Sequence, residues 1–213
     1  MRPAFFRNLL VWHGSHARHF PWREANCTAW EILLAEMLLR RTGASKVQDV
    51  FGKVVGIART PAELAAVDSE VLCGILQPLG LQRQRAHALQ NLAVQIESRT
   101  NHEVPADIRE LLAMPHIGNY IAGAVAIFYF GKRAALSDVN VTRVGSRYYG
   151  LPSGSKRLEK IIARKVLAAC PRGGEKAFYY ALLDFSAAVC TPRPHCVHCP
   201  LRRGCRYPDK TRE

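Results

Sequence analysis

The chain has 213 residues, 48% of them hydrophobic, which is enough to bury a substantial core in one domain or two small lobes. Thirty Lys and Arg against 17 Asp and Glu leave a formal net charge of +13, which favours a polyanionic partner such as nucleic acid. The longest apolar run, 121–130, is too short to span a bilayer, and Arg7 interrupts the apolar N-terminal stretch, so we expect neither a membrane anchor nor a signal peptide.

Apolar residues recur with helical spacing along nearly the whole chain. In chain order, this spacing predicts helices at 29–42, 46–59, 61–76, 84–98, a short one ending at 114, 119–130, 139–149, 155–169 and 174–189. Thr60, Pro61 and Glu63 form a strong helix start, with an N-cap, a first-turn proline and a capping-box partner. No segment alternates as a strand does, so the sequence predicts an all-α protein of about ten short helices.

Residues 111–131 are predicted to form a helical hairpin with a tight turn, Met114-Pro115-His116-Ile117-Gly118. The backbone N–H groups at the start of its second helix, together with the helix dipole, can hold a phosphate. Asp138 follows Gly118 by 20 residues and precedes the next helix. On the residues alone, Asp138 is best interpreted as a plain N-cap of the helix that begins at Val139.

Four of the seven cysteines, Cys190, Cys196, Cys199 and Cys205, are clustered near the C-terminus with the spacing C-x5-C-x2-C-x5-C. Four thiolates this close can enclose one metal centre, either a tetrahedral zinc or an iron–sulfur cluster. The other three cysteines are scattered singly, which fits a reducing cytosol better than a disulfide framework.

These motifs together resemble the helix-hairpin-helix DNA glycosylases of the endonuclease III and MutY superfamily. That family carries a hairpin of the type L-P-G-V-G, a following aspartate and a four-cysteine [4Fe–4S] loop. The resemblance runs from Phe20 to Cys205 and is strongest to the archaeal-type thymine/uracil mismatch glycosylases, through Leu39-Arg40-Arg41-Thr42, Tyr120 and Asp138-Val139-Asn140. Two features depart from the family. His116 stands at the hairpin's usual first glycine, and the first cysteine gap has five residues where the family usually has six.

The resemblance implies an all-α, two-lobed fold with a C-terminal [4Fe–4S] loop. One lobe is expected at 24–134, including the hairpin at 111–131. The second lobe is expected to combine 1–23 with 135–213 and to carry the cluster loop, 190–205. Zinc is the second choice of metal. The resemblance further implies a monomer in the cytoplasm, associated with the nucleoid, with double-stranded DNA as its partner.

The resemblance also implies catalytic roles for four side chains. Asp138 is expected to stabilise an oxocarbenium-like sugar and align water, and Asn140 to orient Asp138. Tyr120 stands where bifunctional relatives carry a nucleophilic lysine, which implies a monofunctional enzyme that leaves an abasic site. Glu36, in an otherwise apolar helix, matches the glutamate that serves the departing base in MutY-like relatives. Its alternative is a salt bridge to Arg40.

For base flipping, the resemblance implies that Arg40 wedges into the duplex while Leu81 or Gln82 presses beside the orphaned guanine. Arg41, His116, Gly118 and Tyr120 complete the expected DNA-binding set. Each remaining candidate phosphate contact is alternatively a solvated surface charge. These candidates are Arg83, Arg85, Lys132, Arg133, Arg143 and Arg147.

The expected reaction is hydrolysis of the N-glycosidic bond of a flipped, mismatched base, with thymine or uracil opposite guanine as the first choice. The alternatives are adenine opposite guanine or 8-oxoguanine, another damaged base, and a non-catalytic DNA-binding module of the same fold. Adenine ranks second because we expect no further domain after the cysteine loop of the kind with which MutY proteins read 8-oxoguanine.

Overall fold

The protein is helical, as the sequence predicts. The computed structural model describes residues 2–208, and the regular structure in that range consists of α-helices and short 3-10 turns. The helices are α1 (Arg2–His13), α2 (Ala29–Leu38), α3 (Ala44–Ile57), α4 (Pro61–Ala66), α5 (Ser69–Leu76), α6 (Gln82–Glu97), α7 (Ile108–Ala113), α8 (Asn119–Phe128), α9 (Val139–Tyr149), α10 (Lys156–Ala168) and α11 (Glu175–Ala188). The 3-10 turns are Pro21–Arg23, Gln77–Leu79 and Arg202–Gly204. None of the described helices is long and apolar enough to cross a membrane.

The chain divides into two compact units. One, the continuous unit, runs from His19 to Phe130. The other, the split unit, combines the residues up to Arg18 with those from Gly131 onward. The continuous unit therefore contains α2 to α8, and the split unit contains α1 and α9 to α11.

Helices α2 and α8 form the core of the continuous unit. A capping box starts α2: the Glu31 N–H donates to Thr28 Oγ1 at 3.1 Å, and the Thr28 N–H donates to Glu31 Oε2 at 2.7 Å. Every residue from Ile121 to Phe128 of α8 is buried, and α2 is buried from Ile32 to Leu38. Helices that are apolar on all sides belong in a core, and these two pack against each other.

Two of the predicted helices differ clearly from the structure, and one helix was missed. The predicted helix 61–76 is two helices, because the Asp68 carboxylate accepts the N–H groups of Glu70 at 2.9 Å and Val71 at 3.1 Å and so starts α5 anew. The predicted helix 29–42 ends at Leu38, and Arg41 has φ of 56°, outside the right-handed helical region. Helix α1 was not predicted.

In the split unit, α11 packs against α1 and α9, and α9 also packs against α10. Phe5 of α1 stacks on Tyr148 of α9 with ring centroids 4.4 Å apart. Gly145 lets α9 and α10 approach closely, because a Cβ at this position would lie 2.5 Å from Ile162 Cγ2. Packing on two sides therefore fixes α9 in place, together with the backbone that carries the side chains at its start.

A buried carboxylate fastens the segment after α1 to α11. Asp184 is fully buried, and its Oδ1 accepts from Arg18 Nε at 2.7 Å while its Oδ2 lies 3.0 Å from His13 Nε2. The Arg18 backbone N–H also donates to Oδ2 at 3.0 Å. Because Asp184 is buried, its carboxylate needs these partners, and the cluster therefore stabilises the split unit.

Candidate functional site

Asp138 is the N-cap of α9, and its two carboxylate oxygens have different partners. Oδ1 accepts the Val141 N–H at 2.7 Å, and Oδ2 accepts from Asn140 Nδ2 at 2.9 Å. Burial raises the pKa of Asp138, while the hydrogen bonds from Val141 and Asn140 and the nearby charge of Arg143 act to lower it. The result is a half-buried carboxylate in a fixed orientation, suited to stabilising a developing positive charge.

Arg143 connects this carboxylate to the cysteine loop, residues 190–205. One nitrogen, Nη2, donates to Asn140 Oδ1 at 3.1 Å and to the carbonyl of Ser186 at 3.0 Å. Nε donates to the carbonyl of Cys190 at 2.8 Å. Arg143 was predicted only as a candidate phosphate contact. Its guanidinium also links Asn140, the partner of Asp138, to Cys190, the first residue of the loop.

Beside Asp138 lies an open groove in the split unit. Asp138, Thr142 and Arg143 line one part of it, and Arg147, Arg206 and Tyr207 line another. The Arg147 guanidinium stacks 4.7 Å from the centroid of the Tyr207 ring. The groove therefore combines the carboxylates of Asp138 and Glu159 with several cations and an aromatic ring, and the cations and the ring suit a sugar–phosphate chain.

The four clustered cysteines line a single cavity in the split unit. Burial raises the pKa of Cys199 to about 11, and the nearby thiols of Cys190, Cys205 and Cys196 add to the rise. Arg147 Nη1 lies 3.5 Å from Cys190 Sγ, and Cys205 Sγ lies 3.5 Å from the Arg147 carbonyl. Within residues 2–208, no three His, Cys, Asp or Glu side chains are spaced to hold a single metal ion. Four thiols that line one cavity, beside Arg147, His195 and Tyr207, match the donor set that an iron–sulfur cluster takes.

In the continuous unit, Glu36 and Tyr120 lie on the two core helices. Glu36 is only 5% exposed within the apolar α2. Tyr120 is half-buried in the first turn of α8. The N-cap of α8 is Gly118, which has no side chain to accept from the first-turn N–H groups.

The hairpin turn takes a left-handed conformation at His116. Its φ is 64°, the region in which glycine is at ease and other residues are strained. The turn therefore reaches its left-handed geometry with a side chain in place of the family's usual first glycine. The imidazole is exposed and lines a pocket of the continuous unit.

That pocket collects most of the residues predicted to touch DNA. Arg40, Arg41, Leu81 and His116 all line it. Among residues 2–208, the non-glycine residues with positive φ are Arg41 (56°), Leu81 (53°), His102 (53°) and His116 (64°), so three of the four line this one pocket. Gln82 begins α6 next to Leu81 and does not line the pocket. Strained backbone concentrates at functional sites, which marks this pocket as a candidate binding surface.

Arg85 braces the two loops that carry these strained residues. Its Nε donates to the Gly80 carbonyl at 3.0 Å, and its Nη2 donates to the Arg40 carbonyl at 2.8 Å and to Thr42 Oγ1 at 2.8 Å. Its Nη1 reaches the carbonyl of Leu38 at 3.2 Å, at the end of α2. Sequence reasoning missed this role, because the partners lie up to 48 residues away and no local pattern marks them.

The other candidate phosphate contacts differ in their surroundings. Arg133 pairs with Glu175 and donates to the carbonyls of Leu167 and Cys170, each at 3.0 Å. Arg147 donates to the carbonyls of Thr191 at 2.6 Å and Pro192 at 2.9 Å. Both guanidiniums therefore hold protein backbone, whereas Arg83 is exposed on α6.

Comparison with known proteins identifies the family to which the chain is similar. Residues 34–169, more than half of the chain, match the HhH-GPD superfamily of base excision DNA repair proteins. A thymine/uracil-DNA glycosylase of Pyrobaculum aerophilum is 33% identical over 203 residues, covering 92% of this chain and 88% of that protein. An adenine DNA glycosylase of Mycobacterium tuberculosis is 35% identical over 198 residues, covering 91% of this chain and 64% of that protein.

Comparison of the fold with solved structures also finds a DNA glycosylase. The solved structure of a thermostable thymine-DNA glycosylase superposes with a TM-score of 0.87 at 31% sequence identity, covering 98% of this chain and 97% of the other. The chain therefore belongs to the HhH-GPD superfamily of base excision DNA repair proteins.

Proposed function

We propose that this protein is a monofunctional DNA glycosylase that removes thymine or uracil opposite guanine from double-stranded DNA. The observation that carries the proposal is the similarity, over nearly the whole chain, to proteins named thymine/uracil-DNA glycosylases. The fixed carboxylate of Asp138 supplies the chemistry that such a reaction needs. A protein with this activity works at the nucleoid, and we propose that it acts there as a monomer.

In the proposed reaction, the bond between C1′ and N1 of the base breaks and its electron pair leaves with the base. Asp138, ionised, stabilises the positive charge that develops on the sugar and takes a proton from the attacking water. The water oxygen bonds to C1′, and the departing base takes a proton from solvent. Asn140 keeps the carboxylate in place through its hydrogen bond to Oδ2.

The residue at position 120, here Tyr120, determines which nucleophile attacks C1′. A lysine amine at this position would attack the sugar and form a Schiff base. The phenol of Tyr120 has no such amine, so water is the nucleophile and the product is an intact strand with an abasic site. Strand cleavage then requires a separate reagent or enzyme.

Removal of adenine is the second candidate function. The similarity to adenine DNA glycosylases supports it, although the chain spans only 64% of the length of the M. tuberculosis protein. The buried carboxyl group of Glu36 is placed in an apolar helix, where it can serve as a proton donor to a departing purine.

We further propose that Cys190, Cys196, Cys199 and Cys205 hold a [4Fe–4S] cluster. The support is the single cavity that all four thiols line, because four thiolates are the donor set of such a cluster. When bound, the cluster supplies a covalent cross-link of the loop rather than a hydrolytic group. Visible absorbance with iron and acid-labile sulfide in the purified protein supports this proposal, whereas a colourless protein containing zinc contradicts it.

On the DNA side, we propose that Arg40 wedges into the duplex and that Leu81 or Gln82 contacts the orphaned guanine. Arg41, His116 and the amides after Gly118 hold the phosphate backbone. The common pocket of Arg40, Arg41, Leu81 and His116 supports their joint use.

The test is a single-turnover assay on duplexes holding T:G, U:G, A:G or A:8-oxoguanine, each analysed before and after alkali. Cleavage at T or U only after alkali is the expected result. Cleavage at A alone would support the second candidate function, removal of adenine. A strand break before alkali would contradict the monofunctional assignment. Absence of cleavage on all four duplexes, with DNA binding retained, favours a non-catalytic module or another damaged base.

A further inference from the structure

Helix α10 carries a basic face that the proposed chemistry does not use. Lys156, Arg157, Lys160 and Arg164 are all exposed and line one shallow groove together with Ile161. None of these four cations has a hydrogen bond or ion pair with any described side chain or backbone group. The groove belongs to the split unit and is separate from the groove that contains Asp138.

The placement of these cations opposes helix stability. Lys156 and Lys160 are four residues apart, as are Lys160 and Arg164, so like charges meet along one row of the helix. Lys156 and Arg157 also occupy the first turn, where the helix dipole disfavours positive charge. Departures from local stability rules are expected where a surface has a function, and a bound polyanion would relieve both repulsions.

The surroundings indicate which polyanion. Glu159 is the only acidic residue of α10, and it lines the groove of Asp138 rather than the basic groove. Helix α10 therefore borders both grooves, with its cations on the side away from the reacting carboxylate. DNA held at Asp138 continues in both directions as a phosphate chain, which is the polyanion that reaches such a neighbouring surface.

We propose that the α10 face, Lys156, Arg157, Lys160 and Arg164, binds the phosphate backbone of duplex DNA outside the nucleotide that loses its base. This inference rests on the proposed function for its choice of partner. Contacts of this type carry no sequence information, and they position the enzyme and raise its affinity at low salt.

The experiment compares two fourfold variants of the full-length protein. In the first, Lys156, Arg157, Lys160 and Arg164 are each replaced by Gln. In the matched control, four exposed cations elsewhere, Arg7, Lys53, Arg172 and Lys176, are replaced by Gln, so the net charge falls by the same amount in both variants. The probe is a fluorescent duplex with an uncleavable abasic-site analogue opposite guanine, and affinity is measured across a series of NaCl concentrations.

The slope of log K against log[NaCl] should become shallower in the α10 variant by about 0.9 for each phosphate that is no longer neutralised, or about 3.6 if all four residues bind one. The control variant should keep the wild-type slope. The single-turnover rate at saturating enzyme should match wild type in the control variant, because its four positions lie outside the proposed reacting and DNA-binding groups. Equal slopes in the two variants would overturn the proposal, since they would reduce the effect to net charge.

Because the binding measurement does not require turnover, it tests the α10 proposal independently of the proposed glycosylase activity. If wild type removes no base from any duplex and the α10 slope still falls, the glycosylase proposal fails and the backbone contact is supported. If wild type cleaves T:G duplexes and the slopes are equal, the enzyme assignment is supported and the α10 proposal is overturned.

Discussion

The Arg143 guanidinium joins Asn140, the hydrogen-bond partner of Asp138, to the carbonyl of Cys190 in the cysteine loop. These hydrogen bonds connect the start of α9 with the segment that follows α11, and both belong to the split unit. The orientation of the candidate catalytic carboxylate therefore depends on the position of the loop as well as on its own helix. If Asp138 is the catalytic carboxylate, as proposed, the loop contributes to catalysis by positioning it.

Replacing Arg143 by Lys should lower the single-turnover rate on a T:G duplex by about 10-fold or more, because an ammonium cannot bridge two acceptors as the guanidinium fork does. DNA affinity should change little, since the positive charge remains. Arg147→Lys is the matched control: Arg147 holds the carbonyls of Thr191 and Pro192 but has no contact with Asn140. An equal loss of rate in both variants would assign the effect to the loop as a whole and contradict a specific link through Asn140.

Asp138 combines a structural and a chemical role, and two substitutions separate them. Asn caps helices as well as Asp, so Asp138→Asn should lose no stability in urea unfolding, whereas Asp138→Ala should lose about 1 kcal/mol. Both variants should lower the single-turnover rate by about 10²–10⁴-fold, because neither side chain carries a negative charge. Substantial turnover by Asp138→Asn would contradict the catalytic assignment.

The raised pKa of Asp138 predicts a pH dependence of the rate. In the proposed reaction the ionised carboxylate is the active form, so the single-turnover rate should rise with pH through a pKa above the ordinary aspartate value of about 3.9. Asn140 donates to the ionised form, and its removal in Asn140→Ala should move this acid limb to higher pH. A limb that stays in place or moves to lower pH in this variant would contradict the role of Asn140.

The raised pKa of Asp138 also affects stability. The rate should rise with pH, whereas the contribution of Asp138 to stability should fall. Because burial raises the pKa of Asp138 in the folded state, the folded protein binds this proton more tightly than the unfolded chain does. The Asp138 contribution to the free energy of unfolding therefore falls as pH rises from the ordinary value through the folded-state pKa. Asp138→Asn should thus become more stable relative to wild type over that pH interval, as urea unfolding at a series of pH values would measure.

Local patterns in the sequence account for much of the fold and for part of the site. The cap at Thr60 and Glu63 and the turn around His116 are short-range features, and both are present as predicted. The bonds of Asp138 to Asn140 and Val141 are also local, since a residue that precedes a helix can reach only the first turn.

Long-range contacts could not be predicted in the same way. Arg143 meets Cys190 across 47 residues, and Arg85 meets Leu38 across 47 residues. An arginine on an amphipathic helix looks the same in sequence whether it faces solvent, a phosphate or a carbonyl. The positive φ of Arg41 and Leu81 likewise depends on how two loops are held together, and neither position carries the glycine or asparagine that marks such a conformation.

Arg85 allows a direct test of whether those loops must be held rigid. Arg85→Lys keeps the charge but cannot reach the carbonyls of Gly80 and Arg40 together, so the backbone at Arg41 and Leu81 should relax. The single-turnover rate on a T:G duplex should fall by about 10-fold or more, with an unchanged salt dependence of DNA binding. Arg83→Lys, on the exposed side of the same helix, should leave the rate at the wild-type value. If Arg85 acted as a phosphate contact, Arg85→Lys would preserve the rate and Arg85→Gln would flatten the salt dependence by about 0.9, and that pair of results would exclude the bracing role.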